Sequence, residues 1–191
     1  NTINIINDLG IKNILINTFY LEEQIKEFIY KKNFNSKINI IEDGNSILDT
    51  GGGILNLIKK SHNDNFFVFN PDTIWSKKYI EIIRKMEIFY FKNKILNILL
   101  VVNKSKSFDK KLKGDFNLDS KNILNYKDKN FIYTGCQIIN KNVFSTVNKK
   151  SFSIVEIWNK LVNENELYGF ESSNDFVHVT DIEIFNKLSK N

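Results

Sequence analysis

Residues 42–75 read EDGNSILDTGGGILNLIKKSHNDNFFVFNPDTIW, and they constrain the fold more than any other stretch. Thr50-Gly51-Gly52-Gly53 forms a turn that opens a helical pattern over 54–60. An apolar run at 66–69 follows and stops at Asn70-Pro71-Asp72. Helix followed by a short, uninterrupted apolar strand is the unit from which parallel sheets covered by helices are built.

The flanking sequence repeats the unit. Residues 2–10 read as the later part of an amphipathic helix ending at Gly10, and 13–17 (NILIN) as a buried strand. Leu21, Ile25, Phe28 and Ile29 mark one face of a helix over 21–30, and 37–41 is the next strand. Residues 77–90 form a further helix, with Ile80, Ile83 and Ile88 toward the core. The spacing predicts a single α/β domain over 1–191, a mostly parallel sheet with helices on both faces. From residue 95 the pattern changes. A long strand at 95–102 precedes a hairpin of 116–118 with 123–126 and a strand at 131–140 carrying Gly135, and this half is expected to lid the sheet. Residues 152–162 are amphipathic, 167–171 and 176–179 are short strands, and 182–188 is the last helix.

Composition excludes several classes. The net charge of +5 comes almost wholly from scattered lysines, Arg84 being the only arginine, and the chain has no alanine. Biased composition explains such a charge without a nucleic-acid-binding patch. The single cysteine, Cys136, forbids an internal disulfide, argues for a reducing, cytoplasmic setting and lies in an apolar run as a structural thiol. No run reaches the roughly eighteen apolar residues of a membrane span.

Two groups carry candidate chemistry. Glycines lack Cβ atoms, so the amides of Thr50 to Gly53 can approach a base or phosphate, and Asp49 and Thr50 can cap the helix so that its positive end faces a strand-end crevice. Asp72 stands just past a buried strand, where a carboxylate can hold the divalent cation that accompanies a nucleotide. Each has an ordinary use as well: a triple glycine as a flexible turn, Asp72 as a helix cap. Thr134 and Gly135 offer a hydroxyl and an open backbone, although Gly135 also suits a bulge. His178 is most simply structural, Asp181 caps the last helix, and His62 lies in a polar loop. Ser-His-Asp order, zinc spacing and a phosphate-binding P-loop are all missing from the sequence.

Taken in order, LDTGGGI, FFVFNPDTIW, Gly114-Asp115-Phe116, Tyr133-Thr134-Gly135, Phe152-Ser153-Ile154, Leu167-Tyr168-Gly169 and Val177-His178-Val179 resemble the sugar-1-phosphate nucleotidyltransferases. The likeness is to the branch of N-acetylmuramate 1-phosphate uridylyltransferase and mannose-1-phosphate guanylyltransferase. It implies a Rossmann-like three-layer αβα fold of glycosyltransferase-A type with a small antiparallel lid. It also implies transfer of a nucleoside monophosphate from an NTP (UTP or GTP) to a sugar 1-phosphate, with Mg²⁺. On this likeness Asp72 is the catalytic and metal-binding aspartate. Asp49, Thr50, Gly51, Gly52, Gly53 and Asn70 line the nucleotide. Gly114, Asp115, Thr134 and Gly135 lie near the sugar phosphate. His178 stands where many relatives carry a second metal-binding aspartate, and imidazole suits Mg²⁺ poorly.

Relatives also begin with a central strand and a glycine-rich loop bearing Arg and Lys, and residues 1–10 resemble the helix after that loop. The expectation is therefore an N-terminally truncated domain that is inactive and aggregation-prone alone. Two alternatives remain: a non-catalytic sugar-nucleotide-binding module, and a glycosyltransferase, the latter disfavoured because Asn70-Pro71-Asp72 supplies one carboxylate.

Overall fold

The computed structural model describes residues 1–189. The first half alternates as expected: α1 (Thr2–Asp8), β1 (Asn13–Thr18), α2 (Glu22–Lys31), β2 (Lys37–Glu42), α3 (Asp49–Ile58), β3 (Asn65–Phe69) and α4 (Tyr79–Lys92). Then come β4 (Asn97–Asn103), β5 (Asn117–Leu118), β6 (Leu124–Asn125), β7 (Phe131–Asn140), α5 (Ile154–Asn163), β8 (Tyr168–Ser172) and α6 (Ile182–Leu188). Gly10 follows the C-cap of α1 at φ +83°, the left-handed conformation that ends helices.

Alternation along the central strands builds three layers. In β4, Leu99 and Val101 face one side, where they meet Ile58 of α3 and Ile154, Ile157, Trp158 and Leu161 of α5. Ile98 and Leu100 face the other side, against Ile5 and Ile6 of α1 and Tyr79, Ile83, Met86 and Tyr90 of α4. Ile83 and Met86 have no exposed surface, and burial on that scale stabilises by about 1.5–3 kcal/mol per side chain. The αβα architecture expected from the sequence is thus present.

The strands β3, β4 and β8 share one direction, as expected of a mostly parallel sheet, and the departure lies at β7. The main sheet runs β3-β7-β4-β8; β7 is antiparallel to both β3 and β4, while β4 pairs with β8 in parallel. The 131–140 strand is therefore a central strand and not part of a lid; only β5 and β6 form the small antiparallel hairpin. β1 and β2 make a separate parallel pair. Among the described residues no ladder joins β1 to β3, and all five residues of β3 stay partly exposed although four are apolar.

Two helix faces also turn out differently. On α4 the core side chains are Tyr79, Ile83, Met86 and Tyr90, and Ile88 points to solvent at 67% exposure. On α2 only Ile29 is buried, and Phe28 lies outward against Phe34. Residues 176–179 are not a strand: they make single bridges, Phe176 with Ser107 and His178 with Thr73.

Candidate active site

The glycines are not a turn. Gly51, Gly52 and Gly53 lie in the first turns of α3 and are buried. A Cβ on Gly51 would overlap the Phe152 ring, one on Gly52 the Lys150 carbonyl, and one on Gly53 would stand 2.8 Å from Asn17 Nδ2. Nor are their amides free. Gly51 and Gly52 both donate to the Phe152 carbonyl, at 2.9 and 3.1 Å, and the Ile154 amide donates to Thr50 Oγ1 at 3.0 Å. The start of α3 is thus satisfied by the loop that leads into α5, a backbone carbonyl doing what a ligand oxygen was expected to do. Asp49 adopts φ +59° and binds the Thr50 amide with its own carboxylate.

What this docking creates is a cleft of about 240 Å³ between α3, β7 and the start of α5, lined by Asp49, Thr50, Asn70, Tyr133, Gln137 and Trp158, with Ile54 and Ser153 to Val155 beside them. Three of the expected nucleotide residues, Asp49, Thr50 and Asn70, are brought together there. Asn70 is fixed by its amide, which donates to the Gly135 carbonyl at 2.7 Å. Gly135 sits at φ +87° within a register shift between Leu99 and Val101, so it forms the bulge that the sequence allowed.

Two residues on from Asn70, the chain carries Asp72 beside His178. The Thr73–His178 bridge, together with donation from the Val179 amide to the Asp72 carbonyl at 2.9 Å, holds the two side by side. His178 Nδ1 lies 3.6 Å from Asp72 Oδ1 and 3.5 Å from Thr73 Oγ1. Thr73 gives its hydroxyl proton to the Thr134 carbonyl at 2.7 Å, so its oxygen acts as an acceptor toward the imidazole. Nδ1 therefore carries a hydrogen toward Thr73 Oγ1, with the aspartate beside it. The ring stacks on Phe176 at 5.8 Å. Asp72 keeps 45% of its side chain exposed, as a carboxylate must to meet a ligand. Among the described residues no three of His, Cys, Asp and Glu cluster as an all-protein metal cage.

The other expected residues divide. Asp115 accepts the Tyr133 amide at 2.9 Å, which ties it to the same strand, and partial burial raises its carboxyl above the ordinary carboxylate range. Thr134 does not offer its hydroxyl to a ligand: it is fully buried and donates to the Leu100 carbonyl at 2.9 Å. At Gly114 the place of a Cβ is filled by the Lys129 carbonyl. Cys136 has no exposed surface, and burial raises its thiol pKa well above the ordinary value, as suits a structural thiol. Asp181 caps α6 through the Ile184 amide at 2.9 Å.

Sequence reasoning missed Gln137, Trp158 and the Tyr133 side chain as lining of the cleft. A glutamine inside the apolar run 131–139 was the available signal, since a buried amide needs partners. It has them: Gln137 Oε1 accepts from Asn97 Nδ2 at 3.0 Å and Trp158 Nε1 at 3.4 Å.

No protein-family model and no curated protein matches the sequence. Solved structures match over nearly the whole chain. HddC from Yersinia pseudotuberculosis superposes with a TM-score of 0.76 at 21% identity, covering 97% of this chain and 81% of that one. The inositol-1-phosphate CTP transferase from T. maritima gives 0.71 at 12% identity, covering 99% and 80%. A UDP-glucose pyrophosphorylase complexed with UDP-glucose gives 0.76 at 11% identity, covering 99% and 83%. The layered architecture is therefore that of a known scaffold: the chain has the fold of the sugar-1-phosphate nucleotidyltransferases.

Proposed function

We propose that the chain transfers a nucleoside monophosphate from an NTP to a sugar 1-phosphate, giving an NDP-sugar and pyrophosphate. The observation that carries this reading is the placement of Asp72, half exposed and braced by His178, beside the cleft of Asp49, Thr50 and Asn70 in a nucleotidyltransferase fold. In such a reaction an acceptor phosphate oxygen attacks the α-phosphorus in line and pyrophosphate leaves. No covalent enzyme intermediate is needed, so positioning and electrostatics supply the rate.

Asp72 is the residue that would hold Mg²⁺. The fit is adequate, because Mg²⁺ commonly takes one or two carboxylates and completes its shell with waters and substrate oxygens. When bound it would neutralise charge on the phosphates. His178, 3.6 Å from Asp72, stands beside that carboxylate and is the weaker candidate for the metal, since Mg²⁺ prefers oxygen ligands. Asp49, Thr50 and Asn70 contact the nucleotide side of the site, and Asp115 and the Gly135 backbone the sugar-phosphate side. The single buried cysteine suits a cytoplasmic enzyme, and no helix among the described residues is long and apolar enough to cross a membrane.

One observation favours the second reading, a binding module without turnover: the Gly51 and Gly52 amides are committed to Phe152 and cannot serve a phosphate. Pyrophosphate release from each NTP over a panel of sugar 1-phosphates with Mg²⁺ separates the two. Release establishes the enzyme; ligand binding with no release establishes the module.

A further inference from the structure

The positive charge of the chain is not spread evenly over the fold. Residues 104–129 hold eight lysines against four aspartates, a net +4 of the chain's +5, so everything outside that segment is close to neutral. A compositional bias toward lysine raises the count everywhere; it does not by itself collect the excess in one place. Five of the eight, Lys104, Lys106, Lys110, Lys111 and Lys113, stand exposed on the loop between β4 and β5. Lys129 belongs to the same end of the molecule, because its neighbours are stitched to both ends of that loop. The Lys104 amide donates to the Asn130 carbonyl at 2.9 Å, and the Asp115 amide to the Phe131 carbonyl at 2.7 Å.

The loop is built, not slack. The Phe108 amide donates to the Phe176 carbonyl at 2.8 Å, and the Phe176 amide to the Lys106 carbonyl at 3.0 Å. Beneath it Asp109, 8% exposed, accepts the Lys111 amide at 2.9 Å and the Thr180 hydroxyl at 3.1 Å. Backbone and acid are thus turned inward, and the ammonium groups are displayed. Among the described residues only Lys111 of the five is paired with a carboxylate, that of Glu183 at 3.2 Å.

That pair brings α6 alongside the loop. On α6 Ile184 is buried, whereas Ile182 and Phe185, three residues apart and so on one face, are 72% and 52% exposed. Phe108, in the middle of the lysines, is exposed as well. Single exposed apolar side chains are ordinary, but three beside a cluster of unpaired cations make a surface that suits negative charge and an apolar phase together. A bilayer with anionic headgroups supplies both: its phosphates meet an ammonium from any direction, and the acyl boundary takes the apolar side chains. Nucleic acid fits less well. Lysine is a point charge without the fork that grips a phosphate or base bidentately, and the one arginine of the chain, Arg84, lies on α4.

We propose that the 104–113 loop and the outer face of α6 form a docking surface for an anionic lipid bilayer, which holds the protein peripherally by its lysines and by Phe108, Ile182 and Phe185. The inference goes beyond the proposed reaction and does not rest on it.

Flotation with vesicles of phosphatidylcholine and phosphatidylglycerol in equal parts, against phosphatidylcholine alone, tests it at low and at raised NaCl. The protein should float with the mixed vesicles at low salt, stay behind with phosphatidylcholine alone, and be released as salt screens the lysines. Lys106→Gln combined with Lys113→Gln should weaken vesicle binding roughly twentyfold, since each lysine at such a surface contributes about a factor of five. Ile182→Ser combined with Phe185→Ser leaves every charge in place and should weaken it too. All four side chains are exposed, so both double variants should keep the wild-type melting temperature. If one of them melts early, the other and the wild-type salt series decide. Absence of flotation at low salt, equal flotation with both kinds of vesicle, or binding insensitive to both variants overturns the inference. So does poly(U) or polyglutamate that holds the protein as tightly as the mixed vesicles and is indifferent to Ile182→Ser with Phe185→Ser, since a soluble polyanion would then be the partner.

Discussion

Gly51 lies directly beneath Phe152: its amide donates to the Phe152 carbonyl at 2.9 Å, and its missing Cβ leaves the space that the Phe152 ring occupies. The glycine segment thus fastens α3 to the loop ahead of α5. The cleft between them exists because this joint is tight, which links a local sequence feature to the geometry of the site.

Substitution at Gly52 should expose the joint. Alanine favours a helix over glycine by about 1 kcal/mol, but here its methyl would overlap the Lys150 carbonyl, a backbone atom that cannot swing aside. Overpacking of this kind costs about 1–3 kcal/mol, and it wins. Gly52→Ala should lower the urea midpoint and weaken ligand binding in the cleft. Gly10→Ala provides the contrast. Nothing lies within 4 Å of its added Cβ, so only the left-handed φ of +83° is penalised, by about 1 kcal/mol, and binding is untouched. Equal binding losses in the two variants would contradict the joint.

Asp72→Asn should separate chemistry from folding. The side chain is half exposed, so the fold loses little. Removal of the charge should lower turnover by about 10²–10³-fold, the scale typical of losing one electrostatic contributor to a transition state. Nucleotide binding in the absence of Mg²⁺ should be nearly unchanged. Pyrophosphate release across a Mg²⁺ titration checks both, and turnover within a few-fold of wild type would remove Asp72 from the metal site.

Alkaline pH should destabilise the fold through two buried phenols. Burial raises Tyr79, and likewise Tyr90, from the ordinary 10.0 to about 12. Between pH 10 and 12 the unfolded chain loses these protons while the folded chain keeps them. Their contribution is therefore whole below pH 10 and is lost as pH rises toward 12. Each contributes a slope of up to about 1.4 kcal/mol per pH unit. Urea unfolding at pH 9, 10 and 11 measures it. Tyr90→Phe, which also gives up the bond to Asn65 Oδ1 at 2.7 Å, should be less stable at neutral pH but show a shallower alkaline slope.

Much of this was legible in the sequence, for identifiable reasons. The βα alternation through residue 92 came from periodicity alone, and Asn70-Pro71-Asp72 announced a strand end because proline cannot continue a ladder. The reversed sense of β7 was not legible: 131–140 is largely apolar, and burial on both faces looks the same whether the strand runs with or against its neighbours. The glycines were read as a turn because glycine permits one, whereas here it is the absence of bulk against Phe152 and Lys150 that matters, a contact about a hundred residues away in the chain. Thr134 was misread for a similar reason. A threonine in a strand reveals nothing of whether its hydroxyl faces a cavity or, as here, the Leu100 carbonyl.

Gly135 connects the sheet to the site, and its substitution should damage both. At φ +87° alanine is strained by about 1 kcal/mol wherever it has room. Room is short as well: a Cβ would stand 3.0 Å from Asn70 Cβ and 3.1 Å from Thr73 Oγ1. Those two residues bracket Pro71 and Asp72, and Thr73 Oγ1 is the acceptor facing His178 Nδ1. A shift of a few tenths of an ångström is therefore transmitted to the carboxylate and to the imidazole beside it. Gly135→Ala should be destabilised by about 1–3 kcal/mol in urea and lose turnover well beyond what its folded fraction explains. Assays at low temperature, where the variant is fully folded, make the distinction. Wild-type turnover there would mean that the bulge serves the sheet alone.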